Sequence, residues 1–335
     1  MKKINKIFCI KKLKKKTKIS NKIYNKILKF RKKIKKIIYR KIDKLLVMIG
    51  PCSITDASSS IEYAKRLSSL KDKYGDKLEI IMRVYLEKPR TTTGWKGVII
   101  DPHMNDTFNV NKGILISRKI LKKINELNIP VITEFLEPII SKYISDLITI
   151  GVIGARTTES PIYRSIASSF DFPVGFKNNN DGNTKVAIDA IITSKYSSIL
   201  LLPDKNGTFY SYKTSGNNDC FLIMRGGKVP NFYKKDIDSI CQSLKKLNLL
   251  NRVVIDCSHG NSKKNYTKQI EVVEYLCRIV KNNKNIIGIM LESNLISGKQ
   301  NIKKNKKIIY GKSVTDGCLG WKDSKNLIKL IHKSL

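Results

Sequence analysis

The chain has 335 residues, 41% of them apolar, which is enough for a sizeable core and too many for general disorder. Lysine and arginine number 65 against 27 acids, a net charge of +38. No run approaches the roughly 18 uncharged apolar residues of a membrane span, so an integral membrane protein is excluded.

Half of the net charge sits at the front. Residues 1–44 hold 20 lysines and arginines against one acid, Asp43, whereas residues 45–335 hold 45 against 26. Lys, Ile and Asn share A/T-rich codons, so compositional drift accounts for this head without a polyanionic partner. Only Phe8, Tyr24, Phe30 and Tyr39 interleave with its charges, which disfavours a nucleic-acid surface. Its shortage of Arg and Ser weighs against a transit peptide. The segment reads as a Lys/Ile/Asn-rich N-terminal arm. The spacing of Ile19, Ile23, Ile27, Ile34, Ile37 and Ile38 predicts a basic amphipathic helix within it. The seven cysteines (9, 52, 220, 241, 257, 277 and 318) form no CxxC pair, and their odd number argues against a disulfide framework. With no apolar secretory stretch at the start, a reducing, cytoplasmic setting is expected.

From Leu45 onward, short β-rich runs alternate with helical patterns. The runs are 45–50, 79–85, 131–136, 152–156, 174–177, 198–202, 252–256 and 286–291. Helical periodicity fills 114–127, 184–195, 264–281 and 323–331. Eight such units over residues 45–335 predict a parallel α/β fold; an open doubly wound sheet is the alternative, but with no GxGxxG after the first strand the (β/α)8 TIM barrel is the closer match. A long loop at 86–110 and a polar insertion at 203–220 interrupt the alternation. Asn206-Gly207 marks the insertion as a β-hairpin.

The C-terminal ends of barrel strands converge on one face, where barrel enzymes build their sites. Here those ends hold Cys52, Arg83, Glu134, Arg156, Lys177, His259 and Glu292, with Arg225 closing the run 221–224. Buried unpaired charges cost several kcal/mol, so such residues must pair with each other, a metal or a ligand. Arg83, Arg156, Lys177 and Arg225, with Lys88 and Arg90 in the loop, make a cationic pocket suited to phosphate and carboxylate. Cys52, His259 and Glu292, with Asp316 as a further candidate, form a mixed S/N/O set suited to a borderline divalent metal.

The motifs carry a resemblance. Gly50-Pro51-Cys52-Ser53-Ile54, Glu87-Lys88-Pro89-Arg90-Thr91-Thr92, Gly94-Trp95-Lys96-Gly97, Ala155-Arg156-Thr157-Thr158-Glu159-Ser160, Gly175-Phe176-Lys177-Asn178, Met224-Arg225-Gly226-Gly227, Ser258-His259-Gly260-Asn261, Leu291-Glu292-Ser293 and Ser313-Val314-Thr315-Asp316 resemble, in order, class I 3-deoxy-D-arabino-heptulosonate 7-phosphate (DAHP) synthase. The resemblance covers residues 45–330. It implies condensation of phosphoenolpyruvate with erythrose 4-phosphate at the start of the shikimate pathway. It also implies one divalent metal ion (Mn²⁺, Fe²⁺ or Co²⁺) on Cys52, His259, Glu292 and Asp316. Phosphoenolpyruvate would meet Arg83, Lys88, Arg156, Lys177 and Arg225; erythrose 4-phosphate would meet Lys88, Pro89, Arg90, Thr91 and Asp316. Lys88 and Glu134 are the proton-handling candidates.

The insertion, with Leu202-Pro203-Asp204-Lys205-Asn206-Gly207 and Lys213-Thr214-Ser215-Gly216-Asn217, looks most like the tryptophan-sensitive isoenzyme. An aromatic amino-acid effector, tryptophan ahead of phenylalanine or tyrosine, and a homodimer or homotetramer are therefore expected. Three departures stand out: a basic rather than acidic N-terminal arm, Thr55 where relatives often carry His, and Asn179-Asn180 in place of Gly-Thr. The competing reading with related chemistry is 3-deoxy-octulosonate 8-phosphate synthase; Lys88-Pro89-Arg90-Thr91 favours the seven-carbon reaction.

Overall fold

Parallel strands buried on both faces need near-continuous apolar runs, and the chain supplies eight of them. The computed structural model describes residues 3–89, 94–302 and 307–335. In it the strands β1 (Leu45–Gly50), β2 (Leu78–Arg83), β3 (Val131–Glu134), β4 (Ile150–Ile153) and β5 (Val174–Lys177) lie side by side. After the hairpin β6 (Ile199–Pro203) and β7 (Phe209–Lys213), the series resumes with β8 (Cys220–Met224), β9 (Val253–Asp256) and β10 (Ile286–Glu292). The last of these pairs in parallel with β1 and closes an eight-stranded barrel.

One expected strand is reassigned. The run 198–202 does not enter the barrel; its place belongs to Cys220–Met224, which pairs with β5 and β9. Burial explains the difference. All five residues of β8 are buried, whereas Ile199 and Leu201 of β6 are 60% and 71% exposed. A strand buried on one face only is a hairpin strand. The insertion expected near 203–220 is thus an antiparallel hairpin spanning 199–213. Its turn is held by Asp204, whose Oδ1 accepts the backbone N–H groups of Asn206, Gly207 and Thr208.

Helices α3 (Ala57–Tyr74), α4 (Val110–Glu126), α5 (Pro138–Ile144), α6 (Pro161–Ser168), α7 (Lys185–Ser194), α8 (Lys234–Lys246), α9 (Gln269–Ile279) and α10 (Trp321–Lys333) alternate with the strands. No helix among the described residues is long and apolar enough to cross a membrane. All seven cysteines are free thiols.

The basic arm is helical, as its isoleucine spacing predicts: α1 is Ile10–Lys16 and α2 is Asn21–Ile38. Ser20 starts α2 by accepting the Ile23 N–H. The buried stripe Ile23, Ile27, Phe30, Ile34, Ile37 and Ile38 faces the barrel. Arg31, also buried, donates to the carbonyls of Ser145 and Ile148 and pairs with Asp171. The end of the helix enters the barrel itself. Ile34, Ile37 and Ile38 share one core cluster with the inward side chains Leu46, Met48, Ile132 and Val254. Nearby, Arg252 donates to the Ile38 carbonyl and Arg40 to those of Lys284 and Ile286, all at strand starts. The helix end therefore stoppers the N-terminal end of the barrel.

This packing sets a stability test. Ile37 is fully buried, so Ile37→Ala removes three carbons and leaves a cavity, at a cost of about 2–5 kcal/mol. Urea unfolding is expected to show that loss. A change below about 1 kcal/mol would mean that the helix end does not stopper the barrel.

Candidate active site

At the opposite end of the barrel, the strand ends surround a cavity of about 140 Å³. Lys88, Pro89, Glu134, Arg156, Lys177, Arg225, His259, Glu292 and Asp316 line it, with Tyr85, Ala155 and Asn180. Nine of the residues singled out from the sequence thus share one wall. Cys52 and Arg83 lie just behind it, both wholly buried. Arg90 and Thr91 lie outside the described residues.

Each charged group is held by local structure. Arg83, the last residue of β2, donates to Glu292 Oε1 (3.0 Å), and its guanidinium lies over the Tyr85 ring. Lys177, the last residue of β5, donates to Asp256 Oδ2 at 2.8 Å. Glu134 ends β3 beside Gly154, where a Cβ would displace the Glu134 carboxylate from its present position. Loops from neighbouring strands bind one another. The Arg225 N–H donates to Asn178 Oδ1, and the Gly260 N–H donates to the Arg225 carbonyl. His259 follows β9 in left-handed backbone, φ +58°, a conformation that non-glycine residues keep only where surroundings enforce it.

Three of the four expected mixed donors come together, and His259 stands outside their group. Donor atoms of Cys52, Glu292 and Asp316 lie within 4.8 Å of one another. His259 Nε2 is 3.6 Å from Glu292 Oε1. Two ligands each about 2.0–2.3 Å from one metal can stand no more than about 4.6 Å apart, so the cluster is close to ligating size. A cation already sits against it: Lys88 Nζ is 2.7 Å from Cys52 Sγ and 3.1 Å from Asp316 Oδ2. The geometry and the donor chemistry both fit a borderline divalent cation.

Burial and charge oppose each other here. Burial, reinforced by Glu292, pushes the Cys52 thiol up to about 12, with Lys88 pulling the other way. Lys88 holds the Asp316 carboxyl well below the usual range against the effect of burial. Burial alone would raise Glu292, but His259, Arg83 and Lys88 outweigh it and keep the group low. Lys88 and Lys177 both have carboxylate partners, whereas Arg156 and Arg225 have none within ion-pair distance among the described residues. Burial lowers the Arg225 guanidinium; Asp256 opposes this, and the neighbouring Arg156 charge adds to it.

Sequence reasoning passed over two groups here. Asp256 is the last residue of the expected run 252–256, so the strand-end rule identifies it once His259 is not taken as the end. Glu87 stands inside the motif Glu87-Lys88-Pro89-Arg90, but no local pattern reveals that the residue is only 2% exposed and that its carboxylate accepts the Leu136 N–H.

A closed (β/α)8 barrel whose strand ends present paired lysines, unpaired arginines and an S/N/O donor cluster is the frame of an enzyme for small, multiply anionic substrates. Residues 16–329 match the family model for the DAHP synthetase I family, and the chain belongs to that family. It is 47% identical over 306 residues to the Trp-sensitive phospho-2-dehydro-3-deoxyheptonate aldolase of Escherichia coli K12, covering 91% of this chain and 88% of that protein. The Trp-sensitive aldolase of Buchnera aphidicola subsp. Schizaphis graminum is 48% identical over 318 residues, covering 95% and 91%. Among solved structures, phospho-2-dehydro-3-deoxyheptonate aldolase from Francisella tularensis SCHU S4 superposes with a TM-score of 0.97. It is 39% identical and is matched over 100% of this chain and 98% of that one.

Glu87 gives a pH test. Burial pushes its carboxyl up to about 8, against the backbone N–H groups of Leu136 and Glu137. A carboxyl raised in the folded state holds its proton there after the unfolded chain has lost it. Stability therefore falls as pH climbs from the ordinary carboxyl range of about 4–5 towards 8. Glu87→Gln is expected to remove this slope, so its urea midpoint gains on the parent chain between about pH 5 and 8. Parallel midpoints across that window would show Glu87 to be ionised throughout.

Proposed function

We propose that the cavity condenses phosphoenolpyruvate with D-erythrose 4-phosphate and water to give DAHP and inorganic phosphate, the first step of the shikimate pathway. The observation that carries this reading is the cationic cavity beside the Cys52–Glu292–Asp316 cluster, in a chain of the DAHP synthetase I family. Arg156 and Arg225, which no carboxylate among the described residues neutralises, take the phosphate of phosphoenolpyruvate, and Lys177, Lys88 and the buried Arg83 complete its site. Lys88, Pro89 and Asp316, with Arg90 and Thr91, receive erythrose 4-phosphate.

Cys52, His259, Glu292 and Asp316 hold one divalent ion, Mn²⁺, Fe²⁺ or Co²⁺. When bound, it supplies Lewis-acid polarisation of the aldehyde oxygen. The side chains do the rest. The cations press the enol face of phosphoenolpyruvate against the aldehyde, and carbon 3 forms the new C–C bond. Lys88, beside Asp316, gives a proton to the developing alkoxide. Glu134 takes a proton from the water that adds at carbon 2, and phosphate then leaves by C–O cleavage.

Feedback by tryptophan is the regulation we infer. A cavity of about 320 Å³ between α5, α6 and the hairpin, lined by Ser169, Phe170, Leu200, Leu202 and Tyr212, supports it; that volume is at the lower end for small-molecule sites. A cytoplasmic homodimer or homotetramer is the matching assembly, and the exposed hairpin face of Ile199, Leu201 and Phe209 supports burial against a second copy.

One assay tests these readings together: phosphate release from phosphoenolpyruvate with four- and five-carbon aldose phosphates. The expected result is turnover with erythrose 4-phosphate, loss with chelator, recovery with Mn²⁺, and inhibition by tryptophan ahead of phenylalanine and tyrosine. Preference for the five-carbon sugar would favour the octulosonate reaction. Full activity of His259→Ala in metal-free buffer would overturn the metal reading.

The split of the pocket is tested separately. Arg225→Ala removes a charge-assisted hydrogen bond of about 1.5–3 kcal/mol, so KM for phosphoenolpyruvate should rise about 10- to 150-fold. KM for erythrose 4-phosphate should stay within about twofold. The reverse pattern would exchange the two subsites.

A further inference from the structure

Asp256 is wholly buried at the end of β9, and every oxygen it offers is used. Its Oδ1 accepts the Ser258 N–H at 3.0 Å. Its Oδ2 accepts from Lys177 Nζ at 2.8 Å and lies 3.0 Å from His259 Nδ1. That ring nitrogen is buried and no well-aligned hydrogen bond reaches it, so the Asp256 carboxylate meets it as an ion-pair contact. The other ring nitrogen, Nε2, faces Glu292 Oε1 of the donor cluster at 3.6 Å. Ser258, between the two residues, donates to Glu292 Oε2 at 3.0 Å and ties the loop to the same cluster.

We propose that Asp256 is a positioning residue for His259: its carboxylate keeps the imidazole proton on Nδ1 and leaves the Nε2 lone pair aimed at the donor cluster. A carboxylate is acceptor-only, so an Nδ1 lone pair 3.0 Å away would face like charge, while an Nδ1–H is attracted to it. The neutral ring has one proton, and placing it on Nδ1 makes Nε2 the acceptor, the form a metal ligand needs. Carboxylates in this relation to a ligating histidine typically contribute 10- to 100-fold in metal affinity. Lys177 Nζ, 2.8 Å from Asp256 Oδ2, supplies the buried counter-charge that a carboxylate at this position needs.

The inference rests on the metal reading above, and the experiment separates the two. The chain has three histidines, His103, His259 and His332, so ¹⁵N-histidine spectra of the metal-free protein at alkaline pH are assignable, with His259→Ala identifying the signal. The proton of His259 is expected on Nδ1. A proton on Nε2 overturns the proposal, whatever metal the protein takes.

Removing Asp256 alone would strand the buried Lys177 charge, so affinity is compared between Lys177→Met and the Lys177→Met/Asp256→Ala double variant, which removes the pair as a whole. Mn²⁺ affinity, read from the free-Mn²⁺ EPR signal, should fall about 10- to 100-fold in the double variant. Equal affinities would show that Asp256 is only the counter-ion of Lys177, and would overturn the proposal. If the parent chain takes up no divalent ion, the metal reading fails. The tautomer then decides the positioning role by itself.

Discussion

Charge buried at the mouth of an apolar barrel must be balanced on the spot, and the arrangement of this site follows from that constraint. Arg83 and Glu292 are both essentially inaccessible to solvent, as are Lys177 and Asp256. Losing one member of such a pair costs about 3–5 kcal/mol, because the other is left uncompensated. The pairs sit on strand ends rather than on loop tips, so the barrel's hydrogen-bond register holds them in place. Rigid pairs then support the working groups: Glu292 takes its place beside Cys52 and Asp316, and Asp256 beside His259.

The opposite end of the barrel is governed by packing rather than charge. Ile34, Ile37 and Ile38 enter between the strand starts as a dry stopper. Because these contacts are apolar and periodic, the polar positions of α2 can drift in composition while the stripe persists. That is how a segment with 20 basic residues in 44 still folds onto its barrel. Several of its lysines also find carboxylates on the barrel, among them Lys35 with Asp219 and Lys33 with Glu79.

Much of this was readable from residue order, because strands buried on both faces must be apolar and must stop where charge begins. Arg83, Glu134, Lys177 and Glu292 each close a strand, and all four lie at or directly behind the cavity wall. Run 198–202 misled because apolar content does not tell a two-faced barrel strand from a one-faced hairpin strand. Ile199 and Leu201 point outward, and only tertiary context says so. The pairing of Lys88 with Cys52 and Asp316 was equally invisible, since it joins positions 36 and 228 residues away. Glu87 belongs to the same class: its burial comes from the β3–α5 turn folding over it, through Leu136.

The remaining asymmetry says what the cavity is built to receive. Lys88 and Lys177 are neutralised within the protein by Asp316 and Asp256, so they add field without leaving net charge. Arg156 and Arg225 have no carboxylate within ion-pair distance among the described residues, and the Arg156 charge disfavours that of Arg225. Two guanidiniums forced together in a partly desolvated pocket gain most from a group carrying two negative charges on fixed oxygens, because one such group satisfies both forks. A neutral or singly charged ligand leaves one guanidinium unmatched. The cations that the fold leaves without a carboxylate therefore favour a doubly charged oxyanion over a singly charged one, more than the number of cations in the pocket does.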